Sequence, residues 1–125
     1  MRSRRYLALA ATAAAAALLV TGCQSGDDEP TVITEATYWR YQAVEDFDTS
    51  EHTVTDADQL AELAAILDSH EISGDVQSGE MCPGGITVNV EYTTDAGQHM
   101  LQVEGCERDE VGSEIAGLVT EWANP

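Results

Sequence analysis

The sequence predicts an α+β fold: a two-layer sandwich in which a small antiparallel sheet is covered on one face by two helices, in the order β-α-β-β-α. Three observations predict it. Ile86, Val88, Val90 and Tyr92 alternate with Thr87, Asn89, Glu91 and Thr93, which is the period of a strand with one buried and one wet face. Leu60, Leu63, Ala64 and Leu67 recur at i, i+3, i+4 and i+7, the apolar stripe of an amphipathic helix. Val111, Ile115, Leu118 and Trp122 make a second such stripe near the end of the chain. Elements with a single apolar face bury it by stacking sheet on helices.

The domain is expected over residues 37–125. Its first strand, 37–44, alternates Trp39, Tyr41 and Ala43 with Tyr38, Arg40 and Gln42, and the first set is assigned to the core face. Trp39, Tyr41 and Trp122 are also the aromatic side chains expected to line a ligand pocket if there is one. A polar loop follows, with Val54 as a short strand extension. Asp56 stands at an N-cap position with Gln59 three residues on, so the first helix is placed at 57–69. Glycine and serine residues mark 73–85 as a long loop containing Cys82-Pro83. After the 86–93 strand, Asp95-Ala96-Gly97 supplies a turn. Leu101 and Val103 continue the apolar face on the return strand, with Met100, Gln102 and Glu104 outside. Asp109 and Glu110 open the last helix, where the helix dipole favours acids. Gly112 and Gly117 each cost that helix about 1 kcal/mol relative to alanine.

Ahead of the domain, three arginines within the first five residues precede an uncharged stretch, 7–20, composed mostly of Ala and Leu. The apolar stretch falls short of the roughly 20 residues a membrane-spanning helix needs, and it has the profile of a secretory signal. Leu19-Val20-Thr21-Gly22-Cys23 resembles the lipobox of bacterial lipoproteins. The resemblance implies a signal peptide over 1–22, cleavage before Cys23 and a diacylglyceryl group on its thiol. It also implies a place on the extracytoplasmic face of the cell membrane, similar to small lipoproteins of high-GC Gram-positive bacteria. Two acyl chains, at about 0.8 kcal/mol per buried methylene, anchor stably where one does not. Residues 23–36 then read as an acidic tether. Both Sec and twin-arginine export remain open, since Arg4-Arg5 is followed by Tyr6-Leu7-Ala8.

An exported chain meets an oxidising environment, so the remaining pair, Cys82 and Cys106, is expected to form a disulfide. Folding the hairpin about Asp95 and Ala96 brings Gly84 and Gly85 toward Cys106 and places Cys82 within reach. In the chain-entropy model such a loop is worth about 3.5 kcal/mol.

Charge limits the partners. Removal of the signal leaves Arg40 and Arg108 against 23 carboxylates and no lysine, a formal charge of −21. Nucleic acid and anionic headgroups both require a basic footprint, so the only membrane contact expected is the lipid on Cys23. The densest acids, Glu45, Asp46, Asp48 and Glu51, lack the D-x-[DN]-x-[DN]-G pattern of a calcium loop and read as a solvated surface. His52, His70 and His99 stand singly in the sequence, and no metal or cofactor is expected.

No G-x-S-x-G, H-E-x-x-H or glycine-rich phosphate loop is present, and the reading is of a non-catalytic domain that binds an envelope protein or a small ligand. An exposed apolar patch beside the Cys82 loop would favour a protein, and a closed cavity lined by Trp39 and Tyr41 a ligand. The alternative is a protease inhibitor: Glu80-Met81-Cys82-Pro83 followed by a hairpin and a returning cysteine resembles the reactive-site region of the subtilisin-inhibitor family. It departs from that family at Gly84-Gly85, where the family presents a larger residue.

Overall fold

The computed structural model describes residues 29–125; the expected signal peptide and lipobox, with Cys23, lie outside them. Seven elements follow in order: β1 (Glu35–Tyr41), β2 (His52–Val54), α1 (Ala57–Ser69), β3 (Val76–Ser78), β4 (Thr87–Thr94), β5 (Gly97–Val103) and α2 (Glu110–Ala123). They form one open sheet in the order β2-β1-β4-β5-β3, packed against two helices, an α+β fold.

The predicted helix at 57–69 is α1. Asp56 caps it, its Oδ1 accepting from the backbone N–H groups of Asp58 and Gln59 at 3.0 Å each. Leu60, Leu63, Ala64 and Leu67 are all buried. The hairpin also matches its pattern: Val88, Val90 and Tyr92 of β4 and Leu101 and Val103 of β5 point into the core, paired as Val88↔Val103 and Val90↔Leu101. In α2, Val111, Ile115, Leu118 and Trp122 are buried together with Ala116 and Val119. One face of the sheet therefore carries both helices. The opposite face presents Thr37, Trp39, Asn89, Glu91, Thr93, Met100 and Gln102, which are partly exposed.

Three expectations are corrected. The sheet is mixed rather than antiparallel, because Val76–Ser78 forms a strand parallel to β5 inside the segment expected to be a loop. The three residues of β3 are too few to show a period, and the strand finds its parallel partner β5 only after α1 has carried the chain from β2 at one edge of the sheet to the other edge. The second correction reverses the faces of β1. Ala36 and Tyr38 are buried, whereas Trp39 is half-buried and Tyr41 is 53% exposed. Aromatic residues occupy both faces of Tyr38-Trp39-Arg40-Tyr41, so alternation alone cannot choose between them. The choice is made by α2, whose Trp122 ring packs 5.7 Å from the Tyr38 ring, centroid to centroid.

The third correction concerns the boundary between tether and domain, since the segment expected to be tether up to residue 36 is already part of the fold. Ile33 is buried, Thr34 donates its N–H to the Thr93 carbonyl at 3.0 Å, and the Asp68 carboxylate accepts from the backbone N–H of Thr31.

Candidate functional site

The strands give the domain two distinct ends. At one, Glu35 pairs with Thr93 beside the β4–β5 turn; at the other, Tyr41 pairs with Thr87. At this second end Cys82 and Cys106 are joined in a disulfide, with Cα atoms 6.0 Å apart. Glu80 and Cys106 exchange backbone hydrogen bonds of 2.6 and 3.0 Å across the bridge. Gln42 Nε2 donates to the Gly84 carbonyl at 2.8 Å and ties the segment after β1 to the same loop. Large apolar side chains remain in solvent on these linked segments: Met81 is 79% exposed, Tyr41 53% and Val44 52%.

Close by, a cleft of about 290 Å³ opens between the sheet and α2. Arg40, Ile86, Val88, Arg108, Ser113, Ala116, Gly117 and Thr120 line it. Arg108 is fixed by two backbone carbonyls, Nε donating to Glu104 at 2.7 Å and Nη2 to Ile86 at 3.0 Å. Glu104 itself is 3% exposed, but its carboxylate is occupied by Thr87 Oγ1 and Gln102 Nε2 at 2.9 and 2.6 Å. Among the described residues the only ion pairs within 4.0 Å are His70 with Glu114 and His99 with Asp75, so neither arginine is paired with an acid. Asp48 feels the charge of Arg40 from a distance, but its carboxyl is held below the usual range chiefly by the Ser50 hydroxyl, then by the Ser50 backbone N–H.

On the helical layer, His70 caps α1 and meets the first turns of α2. Its Nε2 lies 2.6 Å from Glu114 Oε2, and one ligand atom from each of His70, Glu110 and Glu114 can be chosen so that all lie within 4.8 Å of one another. Spacing in sequence hides this triad, since about forty residues separate the histidine from the glutamates; only the i, i+4 relation of the two acids is visible beforehand.

The aromatic side chains expected to share a pocket are divided by the fold. Trp39 and Tyr41 lie on the open face, whereas Trp122 sits in the core, its indole N–H buried without a hydrogen-bond partner among the described residues. Glu45, Asp46, Asp48 and Glu51 are exposed. The arginine cleft was not anticipated. Its signal was present in the composition: these are the only two fixed positive charges after residue 5. Comparison of the chain with protein-family models, with curated proteins and with solved structures finds no match.

Proposed function

We propose that this is a non-catalytic domain, lipid-anchored on the extracytoplasmic face of the cell membrane, that binds another envelope protein through the disulfide-braced end of its sheet. The observation that carries the reading is the polarity of β1. The chain enters the sheet at Glu35, beside Thr93, and reaches the Cys82 loop only at Tyr41, about 20 Å further on at 3.3–3.4 Å per residue. An anchor on Cys23 would attach at the entry end and leave Met81, Tyr41 and Val44 facing outward. Exposed apolar side chains on braced segments are what a protein interface uses at its centre, with a polar rim around them. A formal charge of −21 selects a partner with a basic rim and disfavours nucleic acid.

The test is crosslinking in intact cells with a photoreactive side chain placed at Met81 or, as control, at Gln98 beside the entry end. A discrete adduct from position 81 alone supports the reading; equal labelling from both positions, or none, overturns it. Cys23→Ser addresses the anchor separately, by loss of partitioning into detergent.

A second reading has a specific observation behind it. Met81 projects next to a bridged cysteine, as a residue offered to a protease does, which keeps inhibition of a subtilisin-like protease as the alternative. Stoichiometric inhibition lost in Met81→Asp would replace the docking reading with this one.

A further inference from the structure

We propose that the cleft lined by Arg40 and Arg108 binds a small organic monocarboxylate. The inference goes beyond the docking reading and does not depend on the lipid anchor.

Arg40 and Arg108 are the only fixed cations in a chain that otherwise carries 23 acids after the signal, and 68 residues of sequence separate them. The fold nevertheless brings both to one cleft. Pairing each with a neighbouring carboxylate is the ordinary fate of an arginine in so acidic a surface, but among the described residues no carboxylate oxygen lies within 4.0 Å of either guanidinium.

Arg108 is oriented by the Glu104 and Ile86 carbonyls, which occupy two of its five N–H donors and leave three in a fixed planar fork. Such a fork matches the two oxygens of a carboxylate, and fixing it in advance removes the entropy of ordering a long side chain on binding. Ser113, on the α2 wall, offers a hydroxyl.

Gly117 lies on the α2 side of the same cleft. Glycine is among the poorest helix formers, yet it stands inside α2 with no heavy atom within 4 Å of where a Cβ would be. No packing contact calls for it, and its effect is to leave the helix wall of the cleft bare. Ile86, Val88 and Ala116 complete an apolar lining, so the matching ligand carries a short hydrocarbon tail behind its charge. The surrounding field selects for low charge, because each further negative unit on a ligand is repelled by the acidic surface. A monocarboxylate is thus preferred over phosphate.

The test uses the mature chain from residue 24 onward with its disulfide intact, titrated with sodium butyrate at constant ionic strength and followed by backbone amide resonances. Butyramide and inorganic phosphate are titrated in parallel. Saturable shifts with butyrate, centred on Ile86, Arg108 and residues 113–120 and absent with butyramide, are expected. Arg40→Gln should weaken binding about tenfold or more while leaving the spectrum folded, since one charge-assisted bond is lost. Gly117→Leu should abolish it by filling the cleft. No saturable response to butyrate, equal response to butyramide, or butyrate binding unaffected by either variant would overturn the proposal. Tighter binding of phosphate than of butyrate would overturn the assignment of a carboxylate.

Discussion

Ser78 donates its hydroxyl to Asp109 Oδ1 at 2.7 Å, joining the edge strand β3 to the start of α2. The same oxygen accepts the backbone N–H of Gly112 at 2.8 Å, so one carboxylate caps the helix and fastens β3, which runs parallel to β5, to it. Asp109→Ala is expected to cost about 0.5–2 kcal/mol, the usual range for a lost N-cap, measured by urea unfolding at pH 7. The pH dependence has a definite sign. The Ser78 hydroxyl first, and then the Gly112 N–H, hold the Asp109 carboxyl below its ordinary value. Its contribution is therefore complete above the unfolded value of about 3.9 and is lost as pH falls through the lower folded one. The difference between wild type and Asp109→Ala should be flat from pH 7 to about 5 and shrink below about 4. A difference that grows on acidification would show that the capped form is not the carboxylate.

Gly112 and Gly117 look alike in the sequence, and the structure separates them. A Cβ at Gly112 would run into the Ser78 side chain, including its Cβ at 2.8 Å, whereas one at Gly117 would meet nothing within 4 Å. Gly117→Ala should therefore stabilise by about 0.5–1 kcal/mol through helix propensity alone. Gly112→Ala should destabilise, because the same gain is outweighed by displacement of β3. Thermal melts of the two variants settle the matter: changes of equal sign would mean that the contact between Gly112 and Ser78 can relax without cost.

The two faces of β1 give the third prediction. Tyr38 lies under α2 against Trp122, and Trp39 lies on the open face. Tyr38→Ala should cost about 3–5 kcal/mol, the range for a large buried aromatic. Trp39→Ala should cost clearly less, although tryptophan is the larger side chain. Reversal of that order in denaturant unfolding would restore the assignment of Trp39 to the core.

What could be read from the sequence was what repeats within one element. Leu60, Leu63, Ala64 and Leu67 needed no partner to declare α1, and Val88, Val90 and Tyr92 declared the buried side of β4 by period alone. The cysteine pair could be read for another reason: with export expected and Cys23 assigned to the lipid, parity leaves Cys82 and Cys106 only each other. What could not be read depended on juxtaposition. β3 is too short to have a period and exists through its pairing with β5. The face of β1 is chosen by Trp122, some eighty residues away. The cleft needs Arg40 on β1 and Arg108 on the connection from β5 to α2, which meet only after β4 is paired with β1. His70 reaches Glu110 and Glu114 only because α1 and α2 lie side by side, which no count of histidines anticipates.

The last prediction concerns the acids themselves. A formal charge of −21 after residue 22 repels itself more in the compact state than in the expanded chain, and this lowers stability at low salt. Between 0.01 M and 1 M sodium chloride the Debye length falls from about 30 Å to about 3 Å, so the melting temperature should rise across that range. Calcium distinguishes diffuse charge from a site. Glu45, Asp46, Asp48 and Glu51 are exposed, and Asp48 Oδ1 is already engaged by the Ser50 N–H and hydroxyl. A calcium loop instead converges several oxygens on one point, at 2.3–2.6 Å. Calorimetric titration of the chelator-treated domain should accordingly show only weak, unsaturating heat that sodium chloride suppresses. A stoichiometric, tight calcium isotherm, lost in Asp46→Asn with Asp48→Asn, would show instead that this loop reorganises into a coordination site.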